Sequence, residues 1–273
     1  MEAFNEALRN IDRLIKLEQK KGEKTEENKK LEAIKISTLF NIAYWYETDH
    51  QYDEASSRYK EVKDKHPDYI DAFLRLAYLA RMRGNVSRAF FWIEESAKSR
   101  AKAPVNQYCL KGKILMDRGD TAEAEKTFRF VIEKIYNADT YSFLGLANLA
   151  YKKGMDLKLE NQDQQDRLLV RAYNKYLDIL ANDQSNCFAC IGLANILAYF
   201  NKTEDAQEIF KLMAESNQNL YQPLMNRAHL SIGEKNFEIA INLYQNILEK
   251  FLPNDLKTEM FLSKAYFIKG DYD

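Results

Sequence analysis

Apolar residues recur along this chain at helical spacing in short blocks, and the blocks come in pairs. Between Val105 and Lys134, Tyr108, Gly112 and Leu115 mark one helix, Gly119 stops it, and Ala124, Phe128 and Val131 mark a second. Such a hairpin carries apolar surface on more than one side and cannot bury it alone, which predicts copies stacked against it. The copies are legible as a small residue followed four positions later by a large apolar one: Ala55/Tyr59, Ala89/Ile93, Ala124/Phe128, Ala172/Tyr176, Ala206/Phe210 and Ala240/Tyr244, at spacings of 34, 35, 48, 34 and 34 residues. The first helices keep phase with them through Leu39, Ile42, Ala43 and Tyr46, then Phe73, Leu76 and Ala77, then Phe143, Leu146 and Ala147, then Cys190, Leu193, Ala194 and Leu197.

A period of 34 residues is that of the tetratricopeptide repeat. The expected fold is therefore all-α, a right-handed superhelical solenoid of helical hairpins, with residues 1–273 forming a single array of about six repeats. Ala7, Ile11 and Leu14 read as the second helix of a unit that lacks its first, and residues 255–273 as the first helix of a seventh, so partial units lie at 1–20 and 255–273. Both ends cut through repeats, as expected of a piece of a longer solenoid. The 14-residue excesses fall in two polar insertions, near 20–32 and 155–167. Alternating Lys and Glu mark the first as a solvated loop or helix extension, and the second is expected to project as a lengthened helix pair or loop. Gly84, Gly119, Gly154 and Gly270 read as one recurring turn position.

Composition adds boundaries. The 273 residues are 46% hydrophobic and 30% charged, with a net charge of −1, which gives ample core and no strong field for bulk nucleic-acid binding. No N-terminal signal segment is legible, and the longest nearly apolar run, Cys187 to Phe200, is too short to span a bilayer. Secretion by that route and membrane embedding are not expected.

Short chemical motifs dissolve into the repeat. Cys187 and Cys190 have C-x-x-C spacing but no second pair, so they and Cys109 read as reduced, largely buried thiols. Arg118-Gly119-Asp120 reads as a turn whose aspartate caps the next helix, and Asn85-Val86-Ser87 and Asn201-Lys202-Thr203 read as turns too. His50, His66 and His229 lie in different repeats without metal-ligand spacing, and no glycine-rich loop could cradle a phosphate. No catalytic residue, metal or cofactor is expected, and the chain reads as a non-enzyme.

The usable feature of a solenoid is its extended concave surface. Helical phase places Phe40, Tyr44, Leu74, Tyr78, Arg81, Asn106, Lys113, Tyr141, Asn148, Tyr151, Asn195 and His229 off the packing stripe and into that groove. Aromatics, amides and a few cations suit an extended peptide partner. A clamp for a chaperone's C-terminal carboxylate needs Lys and Asn one turn apart on a first helix. Phe40/Tyr44, Leu74/Tyr78 and Cys109/Lys113 hold those places instead.

The run from His66 to Ala77 (HPDYIDAFLRLA), continuing through Ala80-Arg81 to Gly84-Asn85, resembles the tetratricopeptide scaffold subunits of the RNA polymerase II-associated factor complex. Asp139-Thr-Tyr-Ser142, Gln165-Asp-Arg167, Asn182-Asp183, Ala228-His229 and Lys250-Phe251 extend the resemblance over nearly the whole chain, and both insertions fall at that family's long spacings. The resemblance implies a nuclear scaffold whose partners are other subunits of that complex and RNA polymerase II, acting in transcription elongation and co-transcriptional histone modification, without catalysis. Arg227 and Ser231 depart from it, standing where the family has apolar residues. The other reading open to the sequence is a general peptide-binding adaptor or co-chaperone-like assembly factor.

Overall fold

Each block of the hydrophobic pattern folds as a helix, and within each of two compact units every helix packs on the next. The computed structural model describes residues 2–19, 26–99, 104–156 and 162–270, which contain 14 α-helices. They divide into two compact units, Met1–Ala138 and Asp139–Asp273.

The first unit holds α1 (Glu2–Gln19), α2 (Glu26–Thr48), α3 (Tyr52–Lys65), α4 (Ile70–Met82), α5 (Val86–Ser96), α6 (Val105–Arg118) and α7 (Thr121–Phe130). The second holds α8 (Thr140–Asp156), α9 (Gln162–Asn182), α10 (Cys187–Tyr199), α11 (Thr203–Ser216), α12 (Gln222–Gly233), α13 (Phe237–Lys250) and α14 (Leu256–Lys269). Even-numbered helices are the first helices of repeats and odd-numbered helices the second. A single π turn, Val131–Ile135, extends α7 and keeps Val131 buried.

The small-and-large pairs are the core of every hairpin. All twelve anchor residues, from Ala55/Tyr59 to Ala240/Tyr244, are at most 1% exposed. In one case the fit excludes even a methyl group: a Cβ on Gly112 of α6 would stand 2.6 Å from the Phe128 ring of α7. In the second unit, a Cβ on Gly192 of α10 would meet the Tyr176 ring at 2.3 Å.

The turn between the two helices of a repeat is also shared, but only partly through glycine. Seven residues after the small residue of each first helix stand His50, Gly84, Gly119, Asn201 and Lys235, all left-handed with φ between 59° and 93°. Gly154, expected in this set, is instead buried within α8, because the insertion lets α8 run on for 17 residues and α9 for 21. Leu169 of α9 packs on Gly154, where a Cβ would lie 3.0 Å away. Gly154 thus serves close helix approach rather than chain reversal. In the first insertion, helix α2 begins at Glu26 and so takes up residues 26–32, while 20–25 and, in the second insertion, 157–161 lie outside the described residues.

Two local expectations are corrected. On α1, Ile11 and Ile15 are buried and Leu14 is 49% exposed, because the i, i+4 row through Ala7, Ile11 and Ile15 faces the protein. Asp120 makes no side-chain cap at the start of α7; its carboxylate takes the Arg118 Nε–H instead. Caps do form at Asn85, Asn186 and Asp255, whose side chains accept the amide N–H three residues on at 2.9, 3.1 and 2.9 Å.

Phe128 and Phe130 lie two residues apart on α7, the first fully buried and the second 44% exposed. Phe128→Ala is expected to cost about 3–5 kcal/mol, and Phe130→Ala about 1 kcal/mol through its ring contact with Tyr108. Urea denaturation followed by circular dichroism measures both, and similar losses would contradict the assigned packing.

Candidate partner-binding faces

In the first unit the face built by α2, α4 and α6 is organised by ion pairs. Glu47 on α2 is buried, and its carboxylate accepts the Tyr59 hydroxyl of α3 at 2.9 Å and two N–H groups of Arg75 on α4, the Nε contact at 2.9 Å. The Arg75 guanidinium lies between the rings of Tyr44 and Tyr78, 5.2 and 4.9 Å from their centroids. Burial pulls the Arg75 pKa down, and the two tyrosines oppose that shift. One bidentate pair thereby fixes two tyrosines on neighbouring first helices, leaving Tyr44 47% exposed.

The other cations expected on this face are engaged. Arg81 of α4 donates from Nε to Asp117 of α6, and the Lys113 ammonium lies 3.8 Å from the same carboxylate. Asn106 is exposed. Leu74 is buried in the core, and Phe40 packs between Tyr59 and Tyr69 with ring centroids 5.3 and 5.4 Å away, so these two serve packing.

The corresponding face of the second unit is built from uncharged groups. Asn148, Asn195 and His229 each directly follow a fully buried alanine, Ala147, Ala194 and Ala228, on α8, α10 and α12. Asn148 Oδ1 accepts the hydroxyl of Tyr176 at 2.6 Å, and Asn195 Oδ1 accepts Nδ2–H of Asn226 at 3.1 Å. His229 Nδ1 meets the hydroxyl of Tyr244 at 2.7 Å, with the Phe261 ring edge-on at 4.6 Å. Burial, aided by the charge of Lys257, lowers the His229 pKa, so the ring is neutral near pH 7. Burial likewise raises the Tyr244 pKa to about 12 and keeps that hydroxyl protonated. Tyr141 is 46% exposed and Tyr151 half-buried, its pKa also raised by burial.

Two further networks brace this unit. Tyr199 of α10 accepts a hydrogen bond from Gln162 at 3.1 Å and donates one to Asp166 at 3.2 Å, which ties the lengthened start of α9 to its neighbour. Gln207 of α11 donates to Ser231 at 3.3 Å and to Glu234 at 3.1 Å, and accepts Arg227 Nε–H at 3.3 Å. Arg227 and Ser231 therefore hold their places through a polar contact between α11 and α12.

Sequence reasoning missed Glu47, Arg75, Asp117, Asn226 and Gln207, each of which has a partner on another helix 20 to 36 residues away. Cys109 is buried as expected, but Cys187 and Cys190 are only half-buried, at the start of α10, and none of the three is in a disulfide. Among the described residues no group of His, Cys, Asp or Glu could hold a metal ion, and no helix is long and apolar enough to cross a membrane.

No protein-family model matches the chain. It is 30% identical over 239 residues to a protein of Arabidopsis thaliana described as "Protein CTR9 homolog", a match covering 85% of this chain and 22% of that protein. It is 27% identical over 236 residues to the RNA polymerase-associated protein CTR9 of Caenorhabditis elegans, covering 85% and 20%, and 27% identical over 239 residues to that of Saccharomyces cerevisiae, covering 85% and 22%. The chain thus spans about a fifth of the length of these curated relatives. Solved structures establish the fold: a tetratricopeptide repeat protein of Parabacteroides merdae matches with a TM-score of 0.70 at 14% identity, covering 97% of this chain and 99% of that one. A tetratricopeptide protein of Thermus thermophilus matches at 0.65 and 14%, covering 72% and 99%. The fold is an all-α tetratricopeptide-repeat solenoid, as the 34-residue period requires.

Arg75→Leu would leave the Glu47 carboxylate buried without its charged partner and is expected to cost about 3 kcal/mol. Replacing both residues by Leu is expected to recover most of that loss. Chemical denaturation of the two variants checks the pair, and equal losses would show that Arg75 acts through its aliphatic stem alone.

Proposed function

We propose that this chain is the repeat-bearing segment of a CTR9-type protein, a non-catalytic scaffold that binds protein partners in the setting of RNA polymerase. The observation that carries the reading is the 30% identity over 239 residues, which runs through 85% of the chain on a tetratricopeptide fold. In finer terms the scaffold belongs to the RNA polymerase II-associated factor complex in the nucleus. It holds other subunits of that complex near elongating polymerase, and through them supports co-transcriptional histone modification. The fold suits this role because stacked hairpins offer an extended surface for partners. Contacts to partners are assigned to the first-helix faces, where Tyr44 and Tyr141 stand out as exposed aromatics and Asn148, Asn195 and His229 as polar groups.

Affinity capture from nuclear extract tests the reading. The wild-type chain should retain polymerase-associated factor subunits, and Tyr44→Ala with Tyr141→Ala should weaken that retention by about 2–4 kcal/mol if both rings are anchors, with helicity unchanged. Recovery of chaperones and no transcription proteins would overturn the polymerase assignment in favour of a general adaptor.

A further inference from the structure

A cleft of about 840 Å³ opens in the first unit between α3 and α5, the second helices of two successive repeats, both of which pack on α4. Leu76, Leu79 and Ala80 of α4 and Trp92 of α5 give it an apolar floor, each at most 8% exposed. Ser57 of α3 and Arg88 of α5 also line it and are exposed, so the cleft is open to solvent. Its volume is that of a site that takes a small ligand or a few side chains.

The charges that line the cleft do not balance one another. Its three carboxylates are already matched: Asp53 by Arg83 at 2.7 Å, Glu61 by Lys65 at 2.6 Å and Arg58 at 3.1 Å, and Asp64 by Lys63 at 2.5 Å. Lys60 of α3 and Arg88 of α5 line the same cleft and form no ion pair among the described residues. Lys60 is half-buried, whereas Lys35, Lys63, Arg75 and Arg81, half-buried in the same unit, each meet a carboxylate. The Arg88 guanidinium lies 5.9 Å from the centroid of the Trp92 ring, so one of the two unmatched cations adjoins the apolar floor. The indole N–H of Trp92 is a further donor without a hydrogen-bond partner among the described residues.

Unmatched positive charge beside an apolar floor selects what the cleft can hold. An uncharged segment would leave both cations unpaired, a basic one would add like charge, and an acidic one completes both. We propose that the α3–α5 cleft binds an acidic segment of a partner protein, with Asp or Glu carboxylates taken by Lys60 and Arg88 and an aliphatic side chain seated on Leu76, Leu79 and Trp92. The inference rests on the reading of the chain as a protein-binding scaffold, is independent of which complex it serves, and adds a second site to the first-helix faces. Because Arg88 is exposed and Lys60 only half-buried, salt screens both, and binding should weaken as ionic strength rises.

Lys60→Gln with Arg88→Gln removes both charges without breaking an ion pair. Lys211→Gln with Lys264→Gln, at exposed positions of α11 and α14, makes the same change of net charge in the other unit and serves as the control. Fluorescence anisotropy on the full 273-residue chain would use a labelled, end-blocked peptide that alternates Asp-Glu pairs with leucines, compared with the same peptide carrying Asn and Gln in place of the acids. In a Trp45→Phe background Trp92 is the only tryptophan, and its emission reports whether the cleft is where the peptide sits. The acidic peptide should bind in preference to its amide counterpart, more weakly at high salt, and should shift the Trp92 emission. The Lys60/Arg88 variant should bind it about tenfold more weakly, as the loss of two partly exposed ion pairs would give, while the control variant binds as wild type and helicity and thermal midpoint stay unchanged. Equal binding of the two peptides, equal losses in the two double variants, an unmoved Trp92 emission or no binding would each overturn the proposal, as would preference for a phosphoserine peptide over the acidic one. A chain that ignores the acidic peptide yet captures polymerase-associated proteins would refute this inference and leave the scaffold reading intact. One that binds the peptide at the cleft and captures none of those proteins would leave this inference standing and remove the polymerase assignment.

Discussion

The structure depends on large side chains seated where the facing helix has no room for another carbon. Phe128 on Gly112 of its own hairpin and Tyr176 on Gly192 of the following one are the tightest cases, and the other anchor residues are as fully buried. Because a packed core resists both cavities and added volume, this contact fixes how closely the helices approach. It also makes each repeat dependent on its neighbours, since a hairpin with apolar surface on two sides buries only one by itself.

The same contact shapes the functional face. Where the plug is tyrosine, its hydroxyl reaches a polar group on a first helix: Tyr59 finds Glu47, Tyr176 finds Asn148, and Tyr244 finds His229. A core residue thereby decides which atoms of a surface residue remain available to a partner. In the first unit the result is a carboxylate that recruits Arg75 and, through it, Tyr44 and Tyr78. In the second it is a pair of uncharged contacts that fix Asn148 and His229. Where the plug is Ile93 or Phe128, no hydroxyl is available, and Arg81 and Asp117 pair directly across α4 and α6. Two faces with the same backbone plan therefore carry different chemistry, one held by ion pairs and the other by hydrogen bonds between uncharged groups.

Helical phase and period sufficed to place Ala124, Phe128 and the other anchors because burial of apolar side chains is the dominant local signal. They failed where length or pairing changed the use of a residue. Gly154 looked like its turn-forming counterparts, but the insertion prolongs α8 past it. Leu14 shares the hydrophobicity of Ile15, and only the packing of α1 separates them. Glu47 and Arg75 read as ordinary solvated charges, since nothing local reveals that 28 residues of chain bring them together beneath two aromatic rings. Phe40 and Leu74 sit one helical step from the open face, and neighbouring side chains cover them. Tyr44, Tyr141, Asn148 and His229 are exposed, as helical phase indicates, but nothing local reveals that Asn148 and His229 meet the hydroxyls of Tyr176 and Tyr244.

A double-mutant cycle at Gly112 and Phe128 tests the packing constraint most directly. Gly112→Ala gains about 1 kcal/mol of helix propensity but drives a methyl group to 2.6 Å from the Phe128 ring, an overpacking that costs about 1–3 kcal/mol. In the wild-type background the substitution should therefore destabilise the protein. In a Phe128→Leu background, where the distal ring atoms are gone, it should become stabilising by about 1 kcal/mol. Such a reversal of sign in urea denaturation is the predicted result. Stabilisation by Gly112→Ala in both backgrounds would contradict the account, because the ring would then not set the distance between the helices.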